Sequence, residues 1–104
     1  PTYVEAARFL GKRMMREGGD TADARIAYGF RLLLARSSRP REAAVLRAAF
    51  ERARTDFKSD LASAKALLAT GETGGESESN LVDLAAYTIV ADTLLNLDET
   101  VMKE

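Results

Sequence analysis

The sequence predicts an all-α fold, a single small bundle of four to five helices. Two observations support this prediction. Apolar residues recur at intervals of three and four along most of the chain, and clusters of Gly, Ser and Pro separate these segments. No segment shows the alternation of apolar and polar residues that is typical of a half-buried strand. With 104 residues, 46% of them hydrophobic and 30% charged, the chain has the length and balance of one globular domain.

A glycine pair separates the first two predicted helices. The first helix runs from about Tyr3 to Glu17, and Gly18-Gly19 ends it because glycine adopts the left-handed conformation found just past helix ends. Asp20-Thr21 then caps a second helix, which runs to about Ala35 and is expected to be well buried. The apolar face of the first helix comprises Tyr3, Ala7, Leu10 and Met14, flanked by Ala6 and Phe9, and that of the second comprises Ile26, Phe30, Leu33 and Leu34, widened by Tyr28 and Leu32.

Three further helices follow a break at the first internal proline. Pro40 suits the first position of a third helix, and Glu42 lies near its positive N-terminus. A shorter fourth helix covers Leu61 to Ala69, and an acidic Gly/Ser-rich loop covers Thr70 to Ser79. Asn80 is the expected N-cap of the last long helix. The apolar faces are Leu46, Phe50, Ala53 and Phe57 in the third helix, Leu61, Ala64, Leu67 and Leu68 in the fourth, and Leu81, Leu84, Ala85, Thr88, Ala91 and Leu95, extended by Val90 and Leu94, in the last.

The composition lacks two residue types that carry much enzyme chemistry. The chain has no Cys and no His, so it has no disulfide, no thiolate zinc ligand and no imidazole general base. We therefore expect no enzymatic activity, no metal site and no cofactor in this chain. No apolar run is long enough for a transmembrane helix, so no membrane span is expected either.

Charge is distributed unevenly along the chain. Residues 1–58 hold 13 Lys/Arg against 7 Asp/Glu, and residues 59–104 hold 2 against 9, which gives the halves net charges of +6 and −7. The favoured interpretation is that the halves pack together and neutralise each other in part. The alternative is a basic surface that binds an anionic partner such as an acidic or sulfated glycan, because arginine suits sulfate and carboxylate recognition. Its candidate residues are Arg36, Arg39, Arg41 and Arg47.

The basic stretch does not have the features of a nucleic-acid-binding module. Such modules usually add exposed aromatic residues or a recognition motif to their basic residues. Phe50 and Phe57 lie on the apolar face of the third helix and are predicted to be core. We therefore expect no nucleic acid among the partners.

Carboxylates gather near the end of the chain. Asp92, Asp98 and Glu99, with Asn96, offer oxygen ligands for a hard cation, but the Gly and the later bidentate Glu of a calcium loop are missing. The favoured interpretation is capping and solvation at a helix end. The alternative is that the three carboxylates contribute to an active site built elsewhere in a larger protein.

The last eleven residues read LLNLDETVMKE. We expect the three leucines Leu94, Leu95 and Leu97 to anchor the last helix in the bundle. The polar residues Asn96, Asp98 and Glu99 are expected to end or bend that helix and to cap a short final turn.

Three segments of the chain resemble one protein family. They are PTYVEAARFLGKRMMREGG, RIAYGFRLLLARSSRPREAAVL and the closing LLNLDE, in that order. Together they are similar to the C-terminal domain of unknown function of large planctomycete cytochrome-c-type proteins, whose members tend to end in Leu-Leu-Asn, an apolar residue, Asn or Asp, and Glu-Phe. The resemblance spans the whole chain. It departs from the family at Ser38, where Pro is usual, at Arg39, where Thr is usual, and at Thr100, where Phe is usual.

The resemblance implies a context rather than a chemistry. It implies that residues 1–104 are the C-terminal module of a longer protein exported to the periplasm or cell envelope, with any haem bound elsewhere in that parent. The opening at Pro1 without an initiator Met agrees with a piece of a longer chain. The resemblance assigns no catalytic residue. The expected function is therefore a non-catalytic helical accessory or interaction domain, whose partners are other domains of the parent protein.

Overall fold

A computed structural model describes residues 2–68 and 77–103, with side chains described for 4–68 and 77–97. These residues form five α-helices, and no strand occurs among them. The predicted all-α bundle is confirmed. The helices are α1 (Thr2–Glu17), α2 (Ala22–Leu34), α3 (Pro40–Ser59), α4 (Leu61–Leu68) and α5 (Glu78–Lys103).

Helix α5 is the central helix of the bundle and contacts each of the other four. Its middle is apolar on nearly every side, as expected of a helix surrounded by others. Thr88 is the buried polar side chain of this stretch, and its hydroxyl donates to the Leu84 carbonyl at 2.8 Å. The buried residues of α5 are Leu81, Val82, Leu84, Ala85, Ala86, Tyr87, Thr88, Val90, Ala91 and Leu94.

The core consists of two clusters that meet along α5. The larger cluster joins α1, α2 and α3 to α5, and in it the rings of Phe50 and Tyr87 stack with their centroids 4.5 Å apart. The smaller cluster joins α4 to the N-terminal part of α5. Met14 and Phe30 are fully buried in the larger cluster. Burial of a side chain of this size stabilises a fold by about 1.5–3 kcal/mol.

The predicted connection between the first two helices is confirmed. The Gly18 N–H donates to the Met14 carbonyl at 3.0 Å, and Gly19 has a φ of 104°, a conformation that side chains with a Cβ rarely adopt. The Thr21 hydroxyl accepts from the Ala24 N–H at 3.1 Å and caps α2. These short-range contacts fix the turn between α1 and α2.

Four predicted core residues lie at the surface instead. Ala6 is exposed, as are Phe9 at 66%, Leu32 at 41% and Leu97 at 39%, so their assignment to apolar faces was wrong. The sides of α1 and α2 that carry Phe9 and Leu32 face away from α5, which already fills the centre of the bundle. Leu97 lies beyond Leu94, the last fully buried residue of α5.

The predicted start and end of the last helix also differ from the structure. Helix α5 begins at Glu78, because the Ser77 hydroxyl, and not Asn80, provides the N-cap: it accepts from the Asn80 N–H at 3.1 Å. Glu78 and Ser79 are therefore helical rather than loop. At the other end, α5 continues to Lys103 and does not stop at the predicted polar residues. The prediction for positions 69–76 lies outside the described residues.

Candidate functional site

Arg36, the first of the four arginines in the predicted anion-binding group, is held in a bidentate ion pair. Its two terminal nitrogens donate to the two carboxylate oxygens of Glu42, each at 3.0 Å. The Arg36 guanidinium also lies over the Phe30 ring, 4.9 Å from its centroid. Glu42 accepts a further hydrogen bond at 2.8 Å from the Arg39 N–H at the start of α3. The Arg36 guanidinium, and then the Arg39 N–H, lower the pKa of Glu42 from 4.5 to about 2.

Arg47 is likewise neutralised by carboxylates. It donates to Asp23 on α2 at 2.9 Å and to Glu51, one turn further along α3, at 2.8 Å. We call Arg36, Arg47 and their three carboxylate partners the arginine belt. Arg39 and Arg41 are exposed and form no ion pair with a described residue. Two of the four arginines in the predicted cluster are thus neutralised by carboxylates of the protein itself.

A second group of cations lies on the opposite side of α2, where α1, α2 and the start of α5 meet. Here a groove of about 290 Å³ is lined by Lys12, Arg16 and Arg25, by the apolar side chains of Met15 and Leu84, and by Asn80. We call it the basic groove. No carboxylate is among the described residues that line it. These cations are not among the four arginines predicted to bind an anion. A like-charged pair four residues apart, Lys12 and Arg16, is the signal that would have drawn attention to α1.

Arg25 is fixed within the basic groove by neutral partners. Its Nε donates to the Gly19 carbonyl at 2.9 Å, and its Nη1 donates to the Tyr87 hydroxyl at 3.4 Å. The guanidinium carbon also lies 5.5 Å from the centroid of the Tyr87 ring. These contacts orient the guanidinium and leave its positive charge without a carboxylate among the described residues.

Glu17, the acidic residue next to the groove cation Arg16 in sequence, forms its ion pair with Arg13 instead. Glu17 pairs with Arg13 at 3.0 Å and accepts a hydrogen bond from the Tyr28 hydroxyl. Arg13, followed by Tyr28, lowers the pKa of Glu17, and the hydrogen bond to Glu17 raises the pKa of Tyr28. Arg16, although adjacent in sequence, forms no ion pair with Glu17.

An apolar groove of about 420 Å³ lies on the other side of the bundle, between α3, α4 and α5. Its floor is formed by apolar side chains, and its rim carries charged and polar ones. Arg52 and Asp56 on the rim form no ion pair with a described residue. The floor comprises Ala49, Ala53, Phe57 and Ile89, and the rim comprises Arg52, Asp56, Asp60 and Ser63.

The predicted carboxylate group does not form a site among the described side chains. Asp92 is half-buried on α5, and the side chains of Asp98 and Glu99 lie outside the described residues. Because α5 is continuous, the backbones of Asp92 and Glu99 are separated by about 10 Å along the helix axis. Within the described residues, no group of three or more His, Cys, Asp or Glu could hold a metal ion.

Comparison with known proteins gives no identification. No family model, no curated protein and no solved structure matches this chain. The family resemblance, and with it the exported parent and a haem bound elsewhere in that parent, stays a prediction. Among the described helices none is long and apolar enough to cross a membrane.

Proposed function

We propose that this chain is a helical interaction domain, an accessory module that packs on an amphipathic helix elsewhere in a larger protein. The observation that supports this proposal is the apolar groove between α3, α4 and α5. An amphipathic helix laid into such a groove is a common mode of protein recognition.

The spacing of the groove residues on α3 suits a helical partner. Ala49, Ala53 and Phe57 recur every four residues, so they form one ridge along α3. The two alanines leave room for close approach of a partner backbone, and Phe57 offers a large apolar surface. From Ala49 to Asp60 the groove extends over twelve residues of the chain, whose eleven steps correspond to about 16 Å, or three helical turns.

The rim charges give the proposed partner a chemistry. Asp56 and Asp60 provide negative charge near one end of the groove, and Arg52 provides positive charge one turn earlier. Asp60 is held in its charged form, since the Ser63 hydroxyl at 2.6 Å and the Ser63 N–H lower its pKa. The partner helix is therefore expected to have an apolar face flanked by a basic residue opposite the two aspartates and an acidic residue opposite Arg52. Such complementarity fixes the direction of docking.

The experiment is an NMR titration of the ¹⁵N-labelled chain with a synthetic helical peptide of about four turns. The peptide has a Leu/Ala face, one flanking Lys and one flanking Glu. We expect saturable shifts confined to the groove residues of α3, α4 and α5. Ala49→Glu places a charge in the groove and is expected to weaken binding about tenfold or more. Ala48→Glu is the matched control, because Ala48 is the exposed neighbour on the same helix.

Three results would overturn the proposal. One is the absence of saturable shifts, and another is equal loss of binding in the Ala48 and Ala49 variants. The third is a concentration-dependent dimer of the chain alone, detected by light scattering and abolished by Ala49→Glu. That dimer would identify a second copy, and not a partner helix, as the occupant of the groove.

A further inference from the structure

We propose that the basic groove binds a ligand that carries a tetrahedral oxyanion, a sulfate or phosphate group. This inference is independent of the apolar groove, since the two grooves share no lining residue. The cations are Lys12 and Arg16 on α1 and Arg25 on α2.

The groove cations differ in charge pairing from the ion-paired arginines of the molecule. Ion pairs in the described residues engage four arginines: Arg13, Arg36, Arg47 and Arg54. None of the three groove cations takes part in one, although they line the same groove. The apolar side chains of Met15 and Leu84 lie among them and reduce the local screening by water. The groove therefore brings together three cations, none of which forms an ion pair with a described residue.

Arg25 is preorganised for anion binding. Contacts with the Gly19 carbonyl and with Tyr87 hold its guanidinium in place, and they use its Nε and Nη1. Its Nη2 donates to no described residue and remains available for an anion. A planar guanidinium recognises sulfate and phosphate oxygens through paired N–H groups, so an already oriented one loses little entropy on binding.

Lys12 and Arg16 are like charges four residues apart on α1, an arrangement that destabilises a helix. Neither forms an ion pair with a described residue, and the neighbouring Glu17 pairs with Arg13. An oxyanion between the two would convert the repulsion into attraction.

The side of α1 next to the groove indicates that the oxyanion is carried on an organic group. A shallow depression lined by Lys12, Arg16 and the Arg13–Glu17 pair also contains Phe9, which is 66% exposed. A sulfate or phosphate ester held by the cations would place its carrier beside this ring. Burial of apolar carrier surface against Phe9 would add to the affinity.

The test is an NMR titration of the folded chain at low salt with three probes: inorganic sulfate, inorganic phosphate and a heparin tetrasaccharide. We expect a saturable shift of the Arg25 Nε–H signal, and an affinity that falls steeply as salt is added. Lys12→Gln/Arg16→Gln is expected to weaken binding about tenfold or more. The matched control is Arg39→Gln/Arg41→Gln, which removes the same charge from exposed arginines of the predicted cluster and is expected to change the affinity less than about twofold.

A variant that keeps the charge at position 25 distinguishes the effect of guanidinium geometry on binding from the effect of net charge. Arg25→Lys retains the cation but loses the oriented N–H groups, so it is expected to weaken binding, with folding checked by its circular dichroism spectrum. If the tetrasaccharide binds much more tightly than either inorganic ion, the carrier contributes; equal affinities would identify the free ion as the ligand. Both results support an oxyanion site.

Three outcomes would overturn the proposal. The first is the absence of saturation by any of the three probes. The second is an equal or larger loss of binding in the Arg39/Arg41 variant, which would indicate non-specific attraction or a site at the predicted cluster. The third is binding to vesicles of phosphatidylglycerol without any response to the soluble oxyanions, which would assign the cations to a membrane surface.

Discussion

The arginine belt and the basic groove use the same residue type in different surroundings. In the belt, Arg36 in the α2–α3 connection pairs with Glu42 on α3, and Arg47 on α3 pairs with Asp23 on α2 and Glu51 on its own helix. In the groove, Arg25 is oriented by a carbonyl and a tyrosine, so its charge stays unneutralised by the described residues. The comparison teaches that arginine density along a sequence is a poor guide to a binding surface. The distribution of carboxylates around each arginine decides whether its charge is available.

The same comparison explains the charge asymmetry of the chain. Among the described ion pairs, only Arg54–Asp83, at 3.1 Å, joins the basic first half to the acidic second half. The other pairs lie within the first half. Direct pairing between the halves is therefore limited, and the predicted mutual neutralisation applies mainly at this one contact. Three cations of the first half that form no ion pair with a described residue, Lys12, Arg16 and Arg25, line the basic groove.

The largest effect on stability is expected when α1 is moved away from α5. This change would distort the basic groove and leave the arginine belt intact. A Cβ at Gly11 would lie 3.0 Å from the Thr88 hydroxyl oxygen and 3.1 Å from the Thr88 backbone nitrogen. Because backbone atoms of α5 cannot give way as a side chain does, Gly11→Val must displace α1. We expect the free energy of unfolding in urea to fall by about 1–3 kcal/mol.

The spectral response of this variant distinguishes the two regions. The Arg25 Nε–H signal is expected to shift, and that of Arg36 is expected to stay unchanged, because Arg36 follows α2 and its ion-pair partner Glu42 lies on α3. Ala48→Val is the control, since Ala48 is exposed and the change costs only helix propensity, about 0.5 kcal/mol. Equal stabilities of the Gly11 and Ala48 variants would contradict the close contact between α1 and α5.

A smaller effect is expected when the belt loses a carboxylate. Glu42 has its pKa lowered to about 2 from 4.5, so its stabilising contribution is complete above pH 4.5 and is lost as the pH falls towards 2. Glu42→Gln is expected to lower the melting temperature by a few degrees near neutral pH. The difference in melting temperature between this variant and the natural chain should disappear as the pH falls from 4.5 to 2. Melts followed by circular dichroism at several pH values measure it.

The control for this pH profile is Glu5→Gln, which removes a carboxylate that is exposed and forms no ion pair with a described residue. Glu17 and Asp60, whose pKa values are also lowered, contribute to the profiles of both variants alike. If the difference in melting temperature between the Glu42 variant and the natural chain stayed constant from pH 6 to pH 2, the ion pair would be ruled out as the source of the stabilisation.

Helix spacing and local caps could be predicted because they depend on neighbouring residues. Gly19 and Thr21 act within a few positions of the residues they bond, so their types reveal their roles. The N-cap of α5 could not be predicted with the same certainty, since Ser77 and Asn80 are both favourable caps and only three residues apart. The exposure of Phe9 depends on α5 occupying the centre of the bundle, which no local pattern on α1 reveals.

The basic groove could not be predicted from the sequence for a related reason. Its residues come from α1, α2 and α5, and Leu84 is more than seventy positions after Lys12. Only packing of the three helices brings them together. Likewise, Arg36 and Glu42 are six residues apart across a helix break, a spacing for which no helical rule predicts an ion pair. The prediction of an anion-binding cluster rests on the density of arginines in the sequence, which does not reveal their carboxylate partners.

The smallest expected effect concerns stability in the absence of ligand. Lys12→Gln removes one cation of the like-charged pair and keeps Arg16, whose charge in the last turn of α1 favours the helix dipole. The free energy of unfolding at low salt is therefore expected to rise by about 0.2–0.5 kcal/mol. Salt screens the repulsion, so the gain in stability should disappear at high ionic strength. Urea unfolding at low and high salt checks both statements. The control is Arg41→Gln, which removes the same charge from an exposed residue with no cation four positions away. A decrease in stability of the Lys12 variant would show that this cation is favourably paired in the folded protein, which would remove the main contrast between the groove and the belt.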